Sequence, residues 1–221
     1  MIVERYRRDY PGEFLVTRTV FRGGQKIQER EWIDNPIINQ HISGNAVLIA
    51  GGESKSVFDY TKLARHRGGL LGRKKLQTYG THDVYKHMTL NFYYTNTTEY
   101  LDDMLKSKYQ ESTVVYSRSQ KCIKYPGEFF IVPQDPLVSD IATIAYLAAF
   151  DGHKEIFIIG ADQYRYHPVS QETQDLEKII RSYPGIKWYM VSDWSSVAEK
   201  LLLIDNVTKL SYRDFVTTCD I

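Results

Sequence analysis

The chain has 221 residues, 43% of them hydrophobic, and a formal net charge of +1. That length suffices for one sizeable core but not for two independent ones, so we expect a single domain with at most one appendage. The near-neutral charge excludes a global electrostatic pull toward nucleic acid or membranes, although local basic clusters can still act.

Two further features bear on where the protein resides. The two cysteines, Cys122 and Cys219, have no CxxC spacing and fit a reducing compartment, so we expect a cytoplasmic protein. The N-terminus is rich in arginine and lacks an apolar signal region, and no apolar run is long enough to span a bilayer. We therefore expect no secretion signal and no membrane span.

The first part of the chain predicts a β-hairpin. Two β-prone stretches, residues 13–21 and 25–33, flank the turn sequence Arg22-Gly23-Gly24. We therefore expect an N-terminal β-hairpin extension over residues 1–44 and the main domain over residues 45–221. Tyr-Pro-Gly triplets begin at Tyr10, Tyr125 and Tyr183, and each predicts a turn that is followed by a strand.

The main domain has the pattern of an α/β protein. A continuous apolar run over residues 46–50 predicts a buried strand, which leads into a glycine-containing loop and a helix. A helix rich in small residues is expected over residues 139–150. Further strands are expected at residues 75–79, 90–94, 113–116, 156–159 and 186–191. This alternation predicts a single Rossmann-like, mostly parallel sheet flanked by helices. The tail, residues 201–221, fits either a helix or an edge strand.

The glycine loop has two interpretations. Backbone N–H groups of Gly51 and Gly52 could approach a phosphate at the start of a helix, or the pair could form a plain tight turn. Neither G-x-G-x-x-G nor the P-loop pattern is present, so ordinary NAD and ATP enzymes are disfavoured.

A second polar segment, Gly160-Ala161-Asp162-Gln163-Tyr164, follows the apolar strand at residues 156–159. In open α/β sheets, ligands lie outside the carboxyl ends of strands, so a site is expected at this position. Asp162 is a base or orienting carboxylate in one interpretation and the cap of a loop or helix in the other. The histidines have no metal-ligand spacing, and no G-x-S-x-G nucleophile motif occurs.

These segments resemble the bacterial lipooligosaccharide sialyltransferases and their relatives over roughly residues 46–200. Residues 50–54 resemble the family's glycine-rich loop, although its Asn and Pro are missing. The segment from Ser139-Asp140 through residues 152–156 to Gly160–Tyr164 resembles a helix start followed by G-[YF]-K-E-I and G-x-D-x-Y. Residues 186–192 resemble a late family strand. The chain between Tyr164 and that strand is shorter than the family's lid.

The resemblance implies a glycosyltransferase that moves a sugar from a nucleotide-sugar to a hydroxyl acceptor by single displacement, without a metal or other cofactor. Tyr164 and Tyr166 would stabilise the leaving phosphate by hydrogen bonding. His167 is the candidate general base, with Asp162 and Asp140 as substitutes; the alternative for His167 is a surface loop histidine. The residues expected to contact the donor are Gly51, Gly52, Glu53, Ser54, Asn96, Ser139, Asp140 and Gly160.

A basic cluster bears on the acceptor. It comprises Arg65, Arg67, Arg73, Lys74 and Lys75. Such a cluster is either a solvated face, a contact for an anionic donor or glycan, or a contact for DNA whose extruded modified base accepts the sugar, as in phage-type DNA glycosyltransferases. A non-catalytic nucleotide- or nucleic-acid-binding module of the same fold is the alternative function.

Overall fold

A computed structural model describes residues 3–10, 13–34, 44–57, 59, 62–63, 76–125, 127–133, 135–162, 170–193 and 198–221. The described residues form two sheets, one of three antiparallel strands and one of eight parallel strands. Helices flank the parallel sheet, which confirms the predicted α/β, Rossmann-like class with a single main sheet.

The N-terminal sheet contains the predicted hairpin and one additional strand. Strand β1 is Val3–Tyr10, β2 is Glu13–Arg22 and β3 is Gln25–Asp34, in the order β1-β2-β3. The β2–β3 turn consists of Gly23 and Gly24, whose φ angles are +58° and +80°. One class of two-residue hairpin turn, type I′, requires a positive φ at both central residues, which explains the glycine pair.

The main sheet has the strand order β11-β10-β9-β4-β5-β6-β7-β8, and every neighbouring pair is parallel. Each strand predicted from the sequence is present, with ends that differ by two residues at most. The strands are β4 Asn45–Ile49, β5 Leu76–Gly80, β6 Phe92–Tyr94, β7 Val114–Ser117, β8 Phe130–Ile131, β9 Glu155–Ile159, β10 Lys187–Val191 and β11 Val207–Leu210. A strand follows each Tyr-Pro-Gly triplet, namely β2, β8 and β10.

The helices of the main domain are α1 Thr98–Ser107, α2 Ser119–Cys122, α3 Asp140–Asp151, α4 Gln171–Ser182, α5 Glu199–Leu202 and α6 Tyr212–Cys219. Helix α3 is the predicted small-residue helix, and ten of its twelve residues are buried. A helix that is apolar on all sides must be covered by other elements, and α3 packs between the sheet and α4. It ends at Gly152, whose φ of +99° is the left-handed conformation of a helix C-cap.

The core has two layers, one on each face of the sheet. In β4, Ala46 and Leu48 pack into the layer under α3 and α4, whereas Val47 and Ile49 pack into the layer with α1 and α6. Because β4 is buried on both faces, its sequence is continuously apolar rather than alternating.

The tail resolves into α5, β11 and α6. Among the described strands, β11 lies at the edge of the sheet and pairs with β10, and its Thr208 and Lys209 are exposed. This exposure explains why the apolar residues of the tail fit neither the helical nor the strand spacing. In the part of the chain that the structure describes, no helix combines the length and apolar character needed to cross a membrane.

The strand order places a topological switch point between β4 and β9. The chain builds the sheet from β4 to β8 on one side, then returns to place β9 on the other side of β4. The connections that leave β4 and β9 therefore lead to opposite sides of this point, and open α/β proteins bind ligands outside the carboxyl ends of the strands at such a position. Helix α3 leads into β9, so its N-terminus lies at this same edge of the sheet.

Candidate functional site

Two segments that are far apart in the chain meet at the switch point. The Ala50 N–H donates to the Ile159 carbonyl at 2.9 Å, and the Gly52 N–H donates to the Gly160 carbonyl at 2.9 Å. These bonds continue the pairing of β4 and β9 beyond the strand ends. The glycine loop is thus fixed directly against the segment that follows β9.

Gly52 is required by this close approach. A Cβ atom at position 52 would lie 2.1 Å from the Gly160 carbonyl oxygen and 2.3 Å from Asp162 Oδ2, far inside any permitted contact. Gly160 itself has a φ of +77°, which disfavours side chains. Glycine is therefore favoured at both positions where the two segments meet.

Asp162 is buried, with 4% of its surface exposed, and its Oδ2 accepts the Ser54 N–H at 2.7 Å. Ser54 lies in the first turn of a 3₁₀ helix, Glu53–Val57. Free N–H groups at a helix start are satisfied by such acceptors. The capping contact, one of the two interpretations of Asp162, is therefore present in the structure.

The glycine loop retains two amides that could bind an anion. The amides of Gly52 and Ser54 are occupied by protein acceptors. Among the described residues, none accepts a hydrogen bond from the amides of Gly51 or Glu53. A phosphate at this loop would therefore meet those two N–H groups.

Thr81 connects the switch point to the start of α3. Its N–H donates to the Ile49 carbonyl at 3.3 Å, and its hydroxyl lies at a long 3.5 Å from Asp140 Oδ2. Thr81 is fully buried at the end of β5. The Asp140 carboxylate consequently lies beside the carboxyl ends of β4 and β5.

The start of α3 carries further polar groups. The Ser139 N–H donates to Asp175 Oδ2 of α4 at 2.7 Å, which anchors the start of the helix. The Ser139 hydroxyl oxygen is buried and bonds to none of the described residues. Burial raises the pKa of Tyr94 to about 12, and the charge of Asp140 adds to this effect. The field of Asp140 thus extends to the end of β6.

An ion pair joins the loops that follow β4 and β5. Lys55 Nζ lies 2.6 Å from Asp83 Oδ1 and so connects the 3₁₀ helices Glu53–Val57 and His82–Lys86. Burial opposes the ionised form, but the hydrogen bond and charge of Lys55 lower the pKa of Asp83. The Tyr212 hydroxyl donates to the Ser54 carbonyl at 2.8 Å, so α6 also supports this loop.

The structure brings together most of the predicted donor-binding residues. Asn96 lies farther along the same edge, two residues beyond β6, and is half-buried. The residues assembled at the switch point are Gly51, Gly52, Glu53, Ser54, Ser139, Asp140, Gly160 and Asp162. The predicted residues outside the described part of the chain are Tyr164, Tyr166, His167, Arg65, Arg67, Arg73, Lys74 and Lys75.

Sequence reasoning missed Thr81 and the Lys55–Asp83 pair. Their roles depend on contacts between segments far apart in the chain, and none of them belongs to a recognisable motif. Within the described ranges, no three His, Cys, Asp or Glu side chains converge as they would to hold a metal ion.

Fold and site together define an α/β protein with one parallel sheet and a cluster of polar groups at its switch point, which we call the β4–β9 crevice. No protein-family model, no curated protein and no solved structure matches the chain. Its function is therefore inferred from the crevice and from the sequence resemblance.

Proposed function

We propose that the chain is a glycosyltransferase that binds a nucleotide-sugar in the β4–β9 crevice and transfers the sugar to a hydroxyl acceptor. One observation carries the proposal: the glycine loop, the segment after β9 and the start of α3 converge at the switch point. In open α/β sheets this is the position at which nucleotides bind.

The polar groups of the crevice suit the two halves of such a donor. The amides of Gly51 and Glu53 offer hydrogen bonds to a phosphate oxygen. The Asp140 carboxylate would repel a phosphate but accepts hydrogen bonds from hydroxyl groups, as acidic residues do with ribose in nucleotide-binding folds. We therefore assign Asp140 to a ribose or sugar hydroxyl and the glycine loop to the phosphate.

In the proposed reaction, the acceptor oxygen bonds to the anomeric carbon while the bond from that carbon to the phosphate oxygen breaks. The bonding electrons leave with the phosphate, and the acceptor proton passes to a general base. Tyr164, Tyr166 and His167 follow Asp162 closely in the chain. On the resemblance, Tyr164 and Tyr166 donate to the departing phosphate and His167 takes the proton.

The acceptor is proposed by class only. It is a hydroxyl group of a glycan or of a modified base in DNA, and Arg65, Arg67, Arg73, Lys74 and Lys75 are the residues proposed to contact its phosphates or other anionic groups.

A thermal-shift panel of CMP, UDP, GDP and their sugar conjugates tests the donor assignment. A ligand at about 100 times its Kd stabilises the folded state by about 2.7 kcal/mol. For a chain of this size, we expect a rise of about 5–10 °C in Tm with one nucleotide class. Asp140→Asn should lose most of this rise, whereas Asp205→Asn, an exposed residue just before β11, should retain it.

A panel without any shift would contradict the proposal. A shift without release of nucleotide when acceptors are supplied would instead identify a non-catalytic binding module of the same fold.

A further inference from the structure

Leu137, in the loop between β8 and α3, combines two features that disfavour leucine. Its φ is +54°, in the left-handed region that bulky side chains rarely adopt. The residue is also 74% exposed, so core packing does not explain the leucine. The other described non-glycine residues with positive φ are polar or charged, namely His82, Lys108 and Asp220. Unfavourable backbone geometry that the surroundings enforce is concentrated at functional sites, so Leu137 is a candidate for a ligand contact.

Polar contacts on both sides of Leu137 hold the loop in this conformation. The Leu137 N–H donates to Asp135 Oδ1 at 2.9 Å. Arg118, which follows β7, donates from Nη2 to the Val138 carbonyl at 2.8 Å. The Nε of Arg118 also lies 3.3 Å from Asp135 Oδ2. One arginine therefore ties the residues before and after the exposed leucine to the carboxyl edge of the sheet.

The loop lies farther along this edge than the groups assigned to phosphate and ribose. In the strand order β4-β5-β6-β7, the glycine loop follows β4 and Asp140 lies beside Thr81 at the end of β5. The loop of Leu137 is held by Arg118 at the end of β7. From β4 to β7, the edge thus offers backbone amides, a carboxylate and an apolar side chain. Phosphate, ribose and base follow one another in the same order within a nucleotide.

The charges around Leu137 suit an uncharged occupant. Arg118 is paired with Asp135, and the carboxylates of Asp140 and Asp175 lie at the start of α3. These carboxylates would repel a second anionic group. Every nucleobase has an uncharged, flat π-face that packs against other flat or apolar surfaces. A base lying on Leu137 would remove apolar surface from water, which is favourable.

We infer that Leu137 is a base-contacting residue: its exposed side chain packs against the nucleobase of the donor, while Asp140 and the glycine loop hold the ribose and the phosphate. This inference rests on the proposed function and adds the residue that meets the base. It also explains why an apolar side chain is kept at an exposed position with a left-handed backbone.

The test combines calorimetric titration and NMR, both with the nucleotide-sugar that gives the largest thermal shift. The variants are Leu137→Asn, because asparagine tolerates a left-handed backbone, and Leu137→Met, which keeps an apolar side chain. Leu203→Asn is the matched control, because Leu203 is 78% exposed but ends α5 with an ordinary φ of −81°. In the NMR experiment, nuclear Overhauser effects are measured between the leucine methyl groups of the wild type and the protons of the bound ligand.

Leu137→Asn should bind about tenfold more weakly, because the apolar contact with the base is lost. Its Tm without ligand should equal or exceed that of the wild type, because the replaced side chain is exposed and the backbone strain is reduced. Leu137→Met and Leu203→Asn should bind like the wild type. The Leu137 methyl groups should show Overhauser effects to protons of the base.

Three results would each overturn the assignment of Leu137 and leave the proposed function standing. They are a wild-type affinity in Leu137→Asn, equal losses of affinity in Leu137→Asn and Leu137→Met, and Overhauser effects that do not reach the base. A clearly lower Tm in Leu137→Asn would also overturn it, because the leucine would then be kept for packing. No binding of any nucleotide-sugar by the wild type would overturn both proposals.

Discussion

Replacing Asp162 with alanine tests whether this residue supports the crevice. Its carboxylate accepts the Ser54 N–H at 2.7 Å, and both residues are almost fully buried, at 4% and 1% exposure. Asp162→Ala would leave that N–H without an acceptor. Because the lost hydrogen bond is one to a charged group, we expect the free energy of unfolding to fall by about 2–3 kcal/mol. We therefore expect Tm to fall by about 5–10 °C.

Two further variants make the experiment decisive. Asp162→Asn retains an oxygen for the Ser54 N–H and should lose only about 1 kcal/mol. Asp193→Ala removes a carboxylate that accepts the Tyr212 N–H at 2.9 Å, but Asp193 is exposed, so water can replace it and the loss should be smaller. Urea unfolding followed by circular dichroism gives the three free energies.

An unchanged free energy of unfolding in Asp162→Ala would refute this structural role. If Asp162→Asn were as stable as the wild type but lost all turnover, Asp162 would be the general base instead.

Three further predictions concern packing, a thiol and the leaving group. Gly52→Ala should destabilise the fold by more than 3 kcal/mol because its Cβ would meet backbone at 2.1 Å, whereas Gly185→Ala, which has open space around it, should be near-neutral in the same urea titration. Burial raises the pKa of Cys122 to about 12, so its thiol should react with a disulfide reagent only after unfolding. For the same reason, the free energy of unfolding should fall as the pH rises above the ordinary thiol pKa. Rapid labelling of Cys122 in the native protein would contradict this prediction. Tyr164→Phe should lower kcat far more than donor affinity, and unchanged turnover would remove Tyr164 from the mechanism.

The fold was predictable where the apolar pattern reflects local burial. The sequence of β4 is continuously apolar because both faces of the strand are covered. Helix α3 consists largely of small apolar residues because it packs between the sheet and α4. Strand β11 was ambiguous because an edge strand exposes part of its surface to water.

The site was less predictable because its contacts join distant segments. The Gly51-Gly52 pair suggested a phosphate loop or a tight turn, but the sequence could not show that residues 108 positions away fill the space at Gly52 and cap the following helix. His82 gave no signal either. Its position against the glycine loop depends on a positive φ and on Gly51 in another loop.

The most direct test of the central claim is an amide NMR titration of the chain with a nucleotide-sugar. A donor in the β4–β9 crevice should shift the amide signals of Gly51, Glu53 and Asp140 and leave those of Asn45 and Leu76, at the opposite ends of their strands, unchanged. A spectrum without shifts, or shifts confined to that opposite edge, would contradict the account.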